Sequence, residues 1–175
     1  ELVQIRKRDV NYTKNPIQIK IQSSYTKTKK ARIVFVTIET ASMLKRLLSK
    51  KSDEQLVFGT NEDAYIATGT EKAEFTYYRG QLAKDYPEFG ERYQSNNRHK
   101  KTVHSIRSFT ATQCTEAIDE SWGHGYIGHK KYLGQYIRNQ DKQAEMFVRS
   151  ENYLMIYEHI EVVDSDQRVD EMQKD

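Results

Sequence analysis

The sequence predicts an α+β fold, mostly helical, with a small antiparallel β-hairpin near its start. Three observations lead there. The runs "PIQIKIQ" (16–22) and "RIVFV" (32–36) carry the alternation and β-branching of strands, and nine residues part them. Most of the remaining apolar residues recur at helical spacing. With 175 residues, 37% hydrophobic and 30% charged, the chain is long enough for one domain with its own core, plus a tail.

Taken in order, "ELVQIRKR" (1–8) reads as the end of a helix, and Asp9, Asn11 and Asn15–Pro16 mark turns. The two strand runs pair as a hairpin whose tip, "SSYTKTKKA" (23–31), is basic. "ETASMLKRLLSKK" (39–51) is helical, with Ala41, Leu44, Leu47 and Leu48 at helical spacing. "LVFGT" (56–60) is a short buried strand or strand-like entry. A helix is expected from Thr70, because Glu71 and Glu74 at its start and Lys84 at its end match the helix dipole. Residues 85–101 read as irregular. A helix from near Thr102 should carry Val103, Ile106, Phe109 or Thr110, Cys114 and Ala117 along its inner side. Residues 120–139, rich in Gly, His and Tyr, allow only short helices, and "QAEMFVRSENYLMIYEHI" (143–160) is a last amphipathic one. The expected domain spans 1–160, followed by an acidic tail at 161–175.

The net charge is only +3, but it is spread in blocks. Residues 1–51 hold 13 Lys/Arg against 3 Asp/Glu, 52–97 hold 4 against 9, 98–142 hold 8 against 4, and 143–175 hold 3 against 9. Basic blocks set apart by acidic ones point to a polyanion-binding face. The single cysteine, Cys114, excludes an internal disulfide framework, and the five histidines do not combine with thiols at zinc-ligand spacing. No apolar run reaches membrane-spanning length and no signal peptide is visible, so an intracellular, cytoplasmic protein without a membrane partner is expected. The chain opens on Glu1 rather than Met and reads as part of something longer.

"KTVHSIRSFTATQC" (101–114) places His104 and Arg107 three apart at a helix start, on one face and beside unpaired N–H groups. That is a place to hold a phosphate. Such a pair is also common on an ordinary solvated face. No Walker or Rossmann glycine loop is present, and no carboxylate cluster of a two-metal nuclease. What recurs is Lys, Arg, His and Tyr. This set suits metal-free, cofactor-free phosphoryl transfer on a phosphodiester: fixed cations stabilise the non-bridging oxygens, a side chain attacks, and a general acid protonates the leaving oxygen.

Here the residues resemble a family, the tyrosine recombinases or phage-type integrases. "HSIRSFTAT" resembles its H-x-x-R-x-x-F-A-T box, and "YIGHKKYLGQY" its L-G-H element followed by a tyrosine, 22 residues separating Arg107 from His129. "ELVQIRKRDV" resembles the run E-L-x-x-L-x-x-x-D-V, and "YTKTKKARIVFV" the basic hairpin K-x-x-K-x-R with its apolar strand. The likeness covers roughly residues 1–140, and two of these phrases are most similar to archaeal-type integrases.

The resemblance implies a mostly helical catalytic core with a small antiparallel sheet, acting on double-stranded DNA and self-associating there as a tetrameric synapse, in the cytoplasm with the nucleoid. It implies that Arg107 binds the scissile phosphate and His104 assists proton transfer. Lys27 protonates the 5′ leaving oxygen, His129 hydrogen-bonds the phosphate, and Tyr136 attacks to give a 3′-phosphotyrosyl link, with Tyr132 as rival nucleophile. Without the resemblance, these residues read as solvated lysines, a helix cap and packing tyrosines. Two departures stand out. The family's first catalytic arginine sits just ahead of the glutamate that Glu1 matches, so residues 1–175 are expected to cleave poorly or not at all. Seven residues separate His129 from Tyr136, where nine is usual in the better-known branch. The alternative is a non-catalytic DNA-binding fragment or remnant using the same basic face; a small-molecule phosphotransfer enzyme needs less positive charge than this.

Overall fold

The computed structural model describes residues 1–129, 131–132 and 140–156. The fold is α+β and about half helical. One antiparallel sheet has the order β1 (Val10–Asn11), β2 (Gln18–Ile21), β3 (Arg32–Phe35). The helices are α1 (Ile38–Leu48), α2 (Ala64–Leu82), α3 (Val103–Ala117), α4 (Glu120–Tyr126) and α5 (Gln140–Leu154). Among the described residues, no helix is long and apolar enough to cross a membrane.

The hairpin forms as its pattern requires. Ile19 pairs with Val10 on one side and Val34 on the other. Ile19 and Ile21 are buried while Lys20 between them is exposed, the period-two alternation of a one-sided sheet. The buried face packs with Ile5, Val10, Ile17, Leu44, Leu48 and Val57, so α1 closes one side of the sheet through Leu44 and Leu48. Leu47 stays at the edge, 39% exposed. A second core joins Phe35 of β3 to Cys114, Trp122, Tyr126, Ala144 and Phe147 from α3, α4 and α5. Burial there pushes the Cys114 thiol up to about 11.

Polar ties knit the layers. The Tyr126 hydroxyl accepts from the Phe35 N–H at 3.2 Å and donates to the Phe35 carbonyl at 3.1 Å. Trp122 Nε1 donates to Ser150 Oγ at 3.2 Å. A Glu151 carboxylate oxygen accepts from the Ile38 N–H at 2.5 Å, placing negative charge at the N-terminus of α1.

Four sequence expectations are corrected. Residues 1–8 are not the end of a helix: two 3₁₀ turns, Leu2–Gln4 and Lys7–Asp9, flank an extended Ile5. The Ile5 carbonyl accepts from the Val57 N–H at 2.8 Å and Arg6 bridges Leu56, which draws the segment out of helical geometry. Asn11, expected in a turn, belongs to strand β1. Helix α2 begins at Ala64 rather than Thr70, because Asp63 caps it, accepting from the Tyr65 and Ile66 N–H groups. Finally, Val103, Ile106 and Phe109 do not face inward; they are 52%, 59% and 45% exposed. Helix α3 is covered on a face next to the expected one: Arg107, Thr110, Ala111, Cys114 and Thr115 are buried or half-buried, while His104, Ser108, Thr112 and Glu116 are exposed. Its C-terminal half packs so tightly on α4 that a Cβ on Gly123 would stand 2.1 Å from Thr115 Oγ1 and 2.6 Å from the Ala111 carbonyl oxygen.

Candidate phosphate site and nucleic-acid interface

Thr102 caps α3: its carbonyl accepts from the Ser105 N–H at 2.9 Å, and Ser105 Oγ accepts from the Thr102 N–H at 2.9 Å. This fixes the first turn, which carries exposed His104 and half-buried Arg107. Both line a groove of about 520 Å³ between α2 and α3, with Lys72, Phe75 and Arg79 across from them. Arg79 lies over the Phe75 ring, 6.0 Å from its centroid, and donates to the Lys101 carbonyl at 3.3 Å.

Arg107 has a second cation close by. Burial, and then the charge of Arg32, hold its guanidinium below the ordinary arginine range, with Glu1 acting the other way. Arg32 starts β3 and its side chain is 8% exposed. It binds the Glu1 carboxylate through both terminal nitrogens, at 2.6 and 3.3 Å, while its buried Nε has no hydrogen-bond partner among the described residues. Burial pushes the Glu1 carboxyl up. The hydrogen bonds and charge of Arg32, the α-ammonium group and Arg107 outweigh it, and the carboxyl sits below the usual range.

His129 reaches this group from the turn after α4. The Tyr126–Phe35 hydrogen bonds pin that turn to β3. Gly128, at φ +81°, then lets the Arg32 guanidinium lie flat on the backbone, where a Cβ would meet its Cζ at 3.1 Å. Burial, followed by the charges of His124, Arg107 and His104, holds the His129 imidazole below its ordinary pKa. The charges of Arg107 and His104 thus reach the His129 ring, although of the three only His104 and Arg107 line the groove.

Lys27 sits in the loop between β2 and β3, exposed, at the expected hairpin tip. That loop is anchored rather than free. The buried Asp9 carboxylate accepts from Gln22 Nε2 at 2.7 Å and the Tyr25 hydroxyl at 3.1 Å. Buried Thr26 accepts from the Lys30 N–H at 3.2 Å across the loop. Among the described residues no contact joins Lys27 to Arg107. Tyr136 lies outside the described residues. Its rival Tyr132 donates its hydroxyl to Glu120 at 2.5 Å and stacks on His124.

Sequence reasoning leaves Arg32, Glu1, His124, Lys72 and Arg79 without a role. Arg32 is present in the K-x-x-K-x-R stretch and His124 stands five residues before His129, but their convergence depends on the packing of β3 against α4. Among the described residues no group of three or more His, Cys, Asp or Glu is arranged to hold a metal ion. The arrangement offers a desolvated guanidinium pair, two imidazoles and a basic groove, a set suited to a phosphodiester. No protein-family model matches the chain, and no curated protein or solved structure matches it significantly.

Proposed function

We propose that the chain is the catalytic domain of a tyrosine-type site-specific DNA recombinase, which cleaves and rejoins double-stranded DNA through a 3′-phosphotyrosyl intermediate. One observation supports this reading above others: half-buried Arg107 shares with His104 a groove walled by Lys72 and Arg79, and the charges of both reach His129, which comes from a separate turn. A solvated surface pair would not be half-buried or met by a third group from elsewhere in the chain.

In this reading the phosphodiester lies over the start of α3. Arg107 holds a non-bridging oxygen, and its partial desolvation strengthens that interaction as charge builds on the phosphoryl group. His129 donates a second hydrogen bond and His104 assists proton movement. The Tyr136 oxygen attacks phosphorus, its bond to the 3′-phosphate forms, and the bond to the 5′ oxygen breaks. Lys27 delivers the proton that the 5′ oxygen takes up. Rejoining reverses each step, with a 5′-hydroxyl as the attacking group. Lys72 and Arg79 contact the backbone on either side and add affinity without sequence reading. Protomers assemble on DNA to exchange strands.

A nicked duplex that loses its short 5′ product traps the covalent intermediate. A complex formed by this chain, or by any longer protein containing it, is expected to vanish in Tyr136→Phe. It should fall about 10²–10³-fold in rate in Arg107→Ala while duplex binding changes little. Salt-sensitive duplex binding with no covalent complex under any condition would leave a DNA-binding module and remove the catalytic assignment.

A further inference from the structure

His124 and His129 are joined Nδ1 to Nδ1 at 2.8 Å, with ring centroids 4.8 Å apart and planes 19° from parallel. A bond between these two nitrogens needs one Nδ1 to donate and the other to accept, so it couples the tautomers of the two rings. The remaining nitrogen of His124, Nε2, lies 3.9 Å from a Glu120 carboxylate oxygen. That same oxygen is held at 2.5 Å by the Tyr132 hydroxyl, and the Tyr132 ring stacks on His124 at 5.2 Å. On the outer side, Lys131 Nζ stands 3.3 Å from the Tyr132 hydroxyl.

We propose that His124 is a positioning residue: its Nδ1–H donates to Nδ1 of His129 and thereby fixes His129 as the tautomer that carries its proton on Nε2. The proposal rests on reading His129 as a phosphate contact.

The surroundings set the direction of the bond. His129 faces His124, Arg107 and His104, so a second proton on its ring would add to charges already crowded around it. His124 faces Glu120, whose carboxylate offsets a positive ring. The ring of His129 is therefore neutral and carries one N–H; to donate to a phosphate that N–H must be at Nε2, so Nδ1 accepts and His124 Nδ1 donates. A neutral His129 with Nε2–H is what an anion beside Arg107 requires: a donor that adds no further cation. The backbone holds the pair in register, since the His129 N–H donates to the His124 carbonyl at 2.9 Å.

Nitrogen-15 spectra of the 175-residue chain with labelled histidine read this directly, with no DNA present. His129 should show an unprotonated Nδ1 and a protonated Nε2. In His124→Asn the amide nitrogen takes the place of Nδ1 as the donor, so the His129 pattern should persist. In His124→Leu it should be lost. On a nicked duplex, trapping by this chain or a longer protein containing it should be retained in His124→Asn and fall about tenfold in His124→Leu, the effect of one aligned hydrogen bond. A His129 protonated on Nδ1, or a pattern unchanged in a folded His124→Leu, overturns the proposal. So does equal loss of the pattern in His124→Asn and His124→Leu. The expected spectra with no covalent complex from this chain or from any longer protein containing it would sustain the positioning role and defeat the recombinase reading instead.

Discussion

Helices α2 and α5 lie at opposite extremes of one design problem. The 19-residue α2 buries only Ala67, whereas the 15-residue α5 buries Ala144, Phe147, Val148, Ser150 and Glu151. The polar groups of Ser150 and Glu151 are put to use inside: Ser150 accepts from Trp122 and donates to the Met146 carbonyl, and Glu151 caps α1. Helix α2 leaves Tyr65, Ile66, Tyr77 and Tyr78 in solvent and presents Lys72 and Arg79 to the groove. Length alone stabilises a helix little; tertiary packing of one face does. The chain thus separates a strut, which holds β3 and the turn of His129 in place, from a loosely held basic wall. Binding surfaces are commonly drawn from the less stable end of a fold.

The sharpest break of that comparison is Phe147→Ala, which opens a cavity beneath Phe35, 5.2 Å away ring to ring. It should cost about 3–5 kcal/mol in denaturant unfolding, while Tyr77→Ala on α2 stays within about 0.5 kcal/mol. Equal losses would mean that α2 is a structural element after all. Gly123→Ala comes next: the added methyl meets the Ala111 backbone at the α3–α4 contact, for an expected cost of about 1–3 kcal/mol. A neutral result in calorimetry would show that α3 can slide on α4.

Asp63→Ala removes the cap of α2 and should cost about 1 kcal/mol, local to that helix. Amide exchange is the measure: α2 protons should exchange faster while those of α5 are unchanged. Lys72→Ala and Arg79→Ala should leave the unfolding midpoint where it is. Each should lower the salt slope of duplex affinity by about 1; an unchanged slope removes α2 from the interface.

The smallest effect concerns acid. The Glu1 carboxyl is held below its ordinary pKa of 4.5 when folded, so its pairing with Arg32 contributes stability above that value and loses it as pH falls through the lowered one. Glu1→Gln should lower stability at neutral pH and flatten the acid side of the profile below about pH 4.5, where the two proteins converge. A larger loss in acid than at neutral pH would contradict that sign.

Much of this is legible in local chemistry. The alternation in 16–22 and 32–36 specifies the hairpin with Lys27 in its loop, and the apolar period in 39–51 specifies α1. Thr102 marks the start of α3, and a helix beginning there puts His104 and Arg107 on one face by spacing alone. These features are local: a turn or a strand pair is set by residues within about a dozen positions. The amino-acid order also determines the charge blocks and the spacing of His104, Arg107 and His129. It does not say which part of α3 is covered. The apolar spacing of Val103, Ile106 and Phe109 reads as an inward face, although α4 and α5 cover the neighbouring face, which carries Arg107, Ala111 and Cys114. The extended Ile5 needs Val57, and Arg32 reaches Gly128 only because the Tyr126 hydroxyl ties α4 to β3, 91 positions away in the chain. Contacts between segments so far apart are decided by how whole layers pack, and that packing makes Arg32 and His124 neighbours of the candidate site.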